Sequence, residues 1–398
     1  MAMRHSRAGR IDSRTRSRIV PRPGRWSAAV AACGLVVALT AAACGGQATA
    51  AGYGTVTPAA SMAHERITHT STLLRDGRVL IAGGDIGRPA PRQKGEAYVP
   101  PGPTAEVFDP ATGQFSGTRQ MAIAHDGHTA TLLADGRVLV VGGTYDSRPL
   151  VTAELFDPKT GVFSQTNSMS VARLGHTATP LPDGRVLIAG GWDGSTFTAT
   201  AELYDPLAAS FSPTGSMRTG RAYHTATPLP DGRVLIAGGL GPDDLASAEL
   251  YDPKTGSFSL TGAMSTPRFR QTATQLDGDG VLIAGGLLGA TPLASAELYD
   301  EKTGRFGPTG SMATARELHT ATRLADGRVL VAGGFDGTSV LNSVELYDPT
   351  TGRFAEATPL TSARDWHTAT LLPDGRVLVA GGSDGARSVL SSAELYQP

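Results

Sequence analysis

The sequence predicts an all-β fold, a seven-bladed β-propeller whose last blade is completed by the N-terminal strand. Three observations predict it. First, a stretch typified by HTATLLPDGRVLVAGG, beginning at His367, recurs seven times. Second, its Gly pairs start at Gly83, Gly142, Gly190, Gly238, Gly285, Gly333 and Gly381, so successive copies lie 59, 48, 48, 47, 48 and 48 residues apart. That period is the length of a four-stranded propeller blade. Third, the last copy stops at Tyr396-Gln397-Pro398, before a fourth strand. Val56–Met62 (VTPAASM) matches the segments that precede Met217 (SPTGSM) and Met312 (GPTGSM). The missing strand therefore stands at the other end of the chain, and pairing the two closes the ring.

Each element of the repeat has a local cause. His-Thr-Ala-Thr opens a short strand of β-branched and small residues. Pro373-Asp374-Gly375-Arg376 supplies hairpin chemistry, because Pro presets φ and Gly accepts a left-handed turn position. Val377–Ala380 is a continuous apolar run of strand length, which implies burial on both faces. The Gly pair ends it where two backbones approach. The third strand is Ala201-Glu202-Leu203-Tyr204-Asp205, closed by Pro206, which cannot donate to a ladder. A turn of the type Asp157-Pro158-Lys159-Thr160-Gly161 leads into a fourth strand around Phe163, which runs to Met169. Such a sheet is apolar on both faces and is stable only when stacked on its copies. The 50 Gly and 26 Pro recur at these turns rather than being scattered.

The Gly pair, the later Tyr-Asp-Pro with an aromatic about five residues on, and the R-x-x-H segment resemble kelch repeats. The phrasing HTATLLPDGRVLVAGG is most similar to kelch-type propellers of the galactose oxidase central-domain superfamily. The resemblance covers about residues 53–398. One departure is the fourth-strand aromatic, which is Phe here (Phe115, Phe163, Phe211, Phe258, Phe306, Phe354) where the family usually has Trp.

Residues 1–44 read as an export signal. Eight Arg precede a small, apolar run from Ala28 to Ala43, too short for a confident membrane span. Ala41-Ala42-Ala43-Cys44 looks like a bacterial lipobox, so Cys44 is the expected lipidation site and a membrane tether. Cleavage without a lipid is the alternative. The expected location is extracytoplasmic, tethered or secreted. Residues 45–53 form a tether and 54–398 the propeller, with an insertion at 87–103. Both cysteines, Cys33 and Cys44, fall before the propeller, so it has no disulfide. Loss of residues 1–44 changes the balance from 35 basic against 36 acidic residues to 27 against 35, about −8. An acidic chain with four Lys is a poor match for nucleic acid. A monomer is expected, with membrane contact only through the anchor.

The first-to-second and third-to-fourth strand turns should share one face of the ring, and they are the same in nearly every blade. The segments after each Gly pair and before each first strand share the other face, and they vary. Specificity belongs on a variable face. The expected site residues are Tyr223, Phe269, Arg270, Glu317, Asp365 and Trp366 from the entering segments. Trp192, Asp193, Phe335 and Asp336, which follow Gly pairs, join them. Aromatics beside charges suit a protein or a carbohydrate ligand. Each His at the end of an entering segment is expected to bond backbone at its own strand start. A seven-fold ring sets them too far apart for one tetrahedral ion. The Arg opening that segment and the Glu of the third strand are expected to pair within a blade, since the third and fourth strands are neighbours.

The leading expectation is a non-catalytic interaction module with no cofactor or metal. The resemblance implies an alternative, a degenerate oxidase-like or hydrolytic enzyme acting on sugars. A structural envelope protein is a third. Galactose oxidase holds copper with His and Tyr and cross-links one Tyr to a Cys. Tyr223-His224 resembles part of that set, but no Cys stands in the propeller to complete it.

Overall fold

The computed structural model describes residues 53–85, 102–278, 280–385 and 388–398. The expected signal segment with Cys44, nearly all of the expected tether, and residues 87–101 of the expected insertion lie outside the described residues. Seven four-stranded antiparallel sheets are present, and no helix occurs among the described residues. Blades one to seven begin with the inner strands Thr70–Leu73, Thr129–Leu132, Thr177–Pro180, Thr225–Pro228, Thr272–Gln275, Thr320–Arg323 and Thr368–Leu371. Each inner strand touches those of both neighbouring blades, and blade seven touches blade one, so the ring closes around an axis. The strand Thr55–Pro58 pairs antiparallel with Ala393–Gln397, placing Val56 opposite Tyr396. It is the fourth strand of blade seven, as the sequence predicts.

The second strands show why blades must stack. Val234–Ala237 is fully buried along its length. Alternation sends Val234 and Ile236 into the cluster shared with blade three, and Leu235 and Ala237 into the cluster shared with blade five. Burying each such aliphatic side chain is worth about 1.5–3 kcal/mol. The Phe of the fourth strand packs on the third-strand aromatic opposite, as in Tyr204–Phe211, with ring centroids 4.8 Å apart. That contact does the work expected of the larger ring. The Gly pair is required by space and conformation together. Gly83 and Gly84 have φ of 62° and 86°, and a Cβ on Gly84 would lie 2.3 Å from the Ile67 carbonyl.

Polar groups tie blade to blade, and here two expectations are corrected. The Arg–Glu pair joins the crossover segment to the blade it is entering instead of the blade it has just left. Arg173 leaves the outer strand of blade two, yet its Nη2 donates to Glu202 of blade three at 3.0 Å. Arg66–Glu106, Arg221–Glu249, Arg268–Glu297, Arg316–Glu345 and Arg364–Glu394 repeat the contact. The reason is the crossover. The connecting segment has already entered the next blade when it reaches Arg, and the guanidinium also donates to a carbonyl of that blade's Gly pair, Gly190 O for Arg173 at 2.8 Å. These Arg side chains have no exposure. Each is a charge-assisted, buried pair, and further Nη donors reach a carbonyl and a hydroxyl of the same blade, as Arg173 does at Thr200. Blade two uses His125 in place of Arg, 3.4 Å from Glu154.

The histidines also reach the neighbouring blade. His176 Nε2 meets Thr129 Oγ1 at 3.0 Å, and His69 of blade one meets Thr368 of blade seven at 3.0 Å. The expected bond to its own segment is present in blade two, where His128 Nδ1 lies 3.2 Å from His125 O. A lone strand does not reveal the adjacent hydroxyl, which becomes accessible only when blades pack. Burial and the Arg beside them lower His69, His176 and His319 to about 3. These imidazoles are neutral donors and acceptors at ordinary pH.

Candidate ligand-binding site at the channel mouth

The residue just before each His, or before Gln271 in blade five, has a left-handed backbone in every blade. The seven are Thr68, Gly127, Gly175, Tyr223, Arg270, Leu318 and Trp366, with φ between 52° and 66°. Five are not glycine, and each such residue stores about 1–3 kcal/mol of strain. A girdle of backbone hydrogen bonds holds them. Tyr223 N donates to Gly175 O at 2.7 Å, and Arg270 N to Tyr223 O at 3.0 Å. Trp366 N donates to Leu318 O at 3.3 Å, Thr68 N to Trp366 O at 3.4 Å, and Gly127 N to Thr68 O at 3.2 Å. The girdle rings the mouth of the axial channel and fixes one side chain per blade there.

Backbone geometry is thus repeated while side chains differ. Blades one to three contribute Thr68, Gly127 and Gly175, all small. Blades four to seven contribute Tyr223, Arg270, Leu318 and Trp366, all large. Gly175 is small for a reason, since a Cβ there would lie 2.9 Å from Cε1 of Tyr223. The mouth carries small residues on one half and large ones on the other.

The wall converges on Arg270. Its guanidinium carbon lies 5.3 Å from the centre of the Tyr223 ring, 4.9 Å from Trp366 and 6.0 Å from Phe269. Nη1 donates to Glu317 Oε2 at 3.0 Å. Cation–π contact and a charge-assisted bond therefore hold one side chain in place from blades four, six and seven. Glu317 is buried, and Asp365 stands near enough for their charges to repel. Burial first, then Glu317, pushes Asp365 up to about 7. Oδ1 of Asp365 is buried without a hydrogen-bond partner. Burial also pushes the Tyr223 phenol up, against the opposing effect of Arg270.

Of the sequence-predicted residues, the structure brings together Tyr223, Phe269, Arg270, Glu317, Asp365 and Trp366. The other four sit in the loops behind them. Phe335 exchanges backbone hydrogen bonds with Glu317, and Trp192 with Leu174. The Asp193 carboxylate accepts from the backbone of Ser195 and Thr196, at 2.7 and 2.8 Å. Asp336 does the same for Thr338 and Ser339, both at 2.7 Å. Those two carboxylates shape turns. Sequence reasoning missed Thr68 and Asp126. The Thr68 hydroxyl donates to Asp126, which burial, opposed by that bond and aided by Asp85, pushes up to about 6. The available signal was Gly127 and Gly175 standing in the same column as Tyr223 and Trp366, a mark of a left-handed position.

On the opposite face, a cleft between blades three and four is lined by Asp183, Asp231, Arg233, Asp252 and Lys254. These are repeated turn residues, so that cleft offers little that is specific to one pair of blades.

Comparison with known proteins agrees with this architecture. Kelch motifs match residues 128–170, 173–218 and 320–361. A solved structure described as a novel fungal alcohol oxidase of the AA5 family, in complex with copper, superposes with a TM-score of 0.71. It is 19% identical, and the match covers 87% of this chain and 76% of that one. No curated protein matches the sequence. The chain is a seven-bladed β-propeller with Kelch motifs, and its likeness to the oxidase is one of fold.

The copper in that neighbour prompts a test of the donors here, and they do not fit. Tyr223 faces the mouth, but His224 turns to the blade boundary, where its Nε2 meets Thr177 Oγ1 at 3.1 Å. Among the described residues, no group of three His, Cys, Asp or Glu side chains is placed to hold an ion.

Proposed function

We propose that the protein is a non-catalytic, extracytoplasmic interaction module that takes its ligand at the channel mouth. The observation that carries this reading is the convergence of four blades on Arg270 beside a half-ring of small residues. Kelch motifs support an interaction role, and strain held at five non-glycine positions is a feature of functional sites. The N-terminal segment that reads as an export signal supports the location. Capture from envelope extract, with the wild-type chain and a Tyr223→Ala/Trp366→Ala double variant side by side, tests it. A partner retained by the wild type and lost by the variant supports the reading. A partner retained equally by both places binding elsewhere.

A second reading is a sugar-directed hydrolase. It is favoured by Glu317, bound to Arg270 at 3.0 Å, standing near an Asp365 pushed up to about 7. A pair of neighbouring carboxylates is what glycoside hydrolysis uses. Turnover of aryl glycosides, abolished by Glu317→Gln, would establish this reading.

A further inference from the structure

Charge and apolar surface are segregated around the mouth. Three positions per blade frame it: the two residues before each His or Gln, and the residue after each Gly pair. Backbone bridges such as Ile67–Asp85, Asp126–Thr144 and Glu317–Phe335 join the first of these to the last in every blade. The acids at these positions are Glu317, Asp365, Asp85 and Asp126, which fall on the consecutive blades six, seven, one and two. The next three blades carry half-buried Leu174 and Leu240 there, with Ala222 and Phe269 buried beside them. Arg270 is the only basic residue among the framing positions, and it is already bound to Glu317.

We infer that the mouth receives a basic side chain of a protein partner, with an apolar neighbour of that side chain resting on blades three to five. The inference rests on the proposed binding role and deepens it. Three observations support it independently of one another. The acidic arc overlaps the half of the girdle with small residues, where Thr68 and Gly127 stand. Asp365 Oδ1 is buried with no donor, and an ammonium or guanidinium would supply one. Tyr223 and Trp366 already hold a guanidinium between them, so the wall is built of surfaces that accept such a group. The raised Asp126 and Asp365 fit the same picture, since both would be relieved by an incoming cation. An anionic ligand would meet the carboxylates of Asp126 and Asp365, and a purely apolar one would leave Asp365 Oδ1 without a donor.

The test uses the purified full chain and three peptides that differ in one side chain: acetyl-Leu-Arg-Leu-amide, its citrulline analogue and its Glu analogue. Binding is read by calorimetry and by Trp fluorescence. The arginine peptide should bind at least tenfold more tightly than the citrulline peptide, and the Glu peptide should not bind. Asp126→Asn and Asp365→Asn should each weaken the arginine peptide about five- to twentyfold, while Asp183→Asn on the opposite face leaves it unchanged. Because added salt screens such attraction, the wild-type preference for arginine over citrulline should shrink as salt rises, a readout that needs no variant. Equal binding of arginine and citrulline peptides overturns the inference while leaving the binding site standing. So does a captured partner that depends on Tyr223 and Trp366 but is indifferent to both Asn variants. A captured partner indifferent to Tyr223 and Trp366 overturns the binding site itself.

Discussion

The two faces of the ring are built from the same repeat and use it in opposite ways. On the turn face, backbone and side chain repeat together. Asp183-Gly184-Arg185 closes on itself, the carboxylate taking Arg185 Nη2 at 2.6 Å and Arg185 N at 3.0 Å. Arg78, Arg137 and Arg376 then donate to a Pro carbonyl of the next blade. At the mouth only the backbone repeats. The R-x-x-H segment shows the division within four residues. Its Arg and His bind the blade boundary and scarcely vary, while the two residues between them face the mouth and vary freely. A propeller can therefore change what it binds without touching what holds it together, because the two tasks fall on different residues of one segment.

That separation can be broken most severely with acid. Six buried histidines hold their pKa far below 6.5, three of them at about 3. The folded chain binds fewer protons than the unfolded one between those values. The histidine contribution is thus complete above pH 6.5 and is lost as pH falls through the window, at about 1.4 kcal/mol per pKa unit and residue. Asp126 and Asp365 act in the other direction, weakening the fold as pH rises from about 4 toward 7, but they are two against six. Thermal melts between pH 7.5 and 4 should show a steep fall in Tm below pH 6.5. A flat profile would remove the histidines from the blade-boundary account.

A single boundary residue comes next. Arg173→Met leaves Glu202 buried without its cation and should cost about 3–5 kcal/mol. Denaturant unfolding measures this, and the folded fraction should retain its affinity at the mouth. The mouth itself should behave inversely. Trp366→Gly removes a left-handed strain while losing the contact with Arg270, so stability should move by less than about 1–2 kcal/mol, while affinity falls at least tenfold. The smallest effect is expected in the turn of blade three, where Ala209 has a φ of 50° and the equivalent Gly161 has 68°. Ala209→Gly should stabilise by about 0.5–1 kcal/mol without changing binding. Urea titration resolves a difference of that size.

The sequence carried the ring, its seven-fold period and its closure, because turns and apolar runs are local and the VTPAASM match is explicit. It carried the Arg–Glu pairs but assigned them to the wrong blade. Strand adjacency within one sheet was considered, and the crossover that moves Arg into the next sheet was not. The hydroxyl partner of each His belongs to another blade and has no local signature. At the site, Tyr223, Arg270 and Trp366 stood out as aromatic and charged residues between fixed neighbours. Asp193 and Asp336 stood out for the same reason, although the Ser and Thr after them already spelled a side-chain-capped turn. The left-handed girdle was concealed by bulky residues at positions where glycine would have announced it.

Site-specific photo-crosslinking from the two faces tests the central claim most directly. A benzophenone amino acid would replace Leu318 in the girdle, or Leu207, which is 99% exposed on the turn face. The account predicts one partner cross-linked from position 318, competed by the arginine peptide, and none from 207. A partner cross-linked from 207 and absent from 318 would contradict it, placing recognition on the repeated face and leaving the mouth without a role in binding.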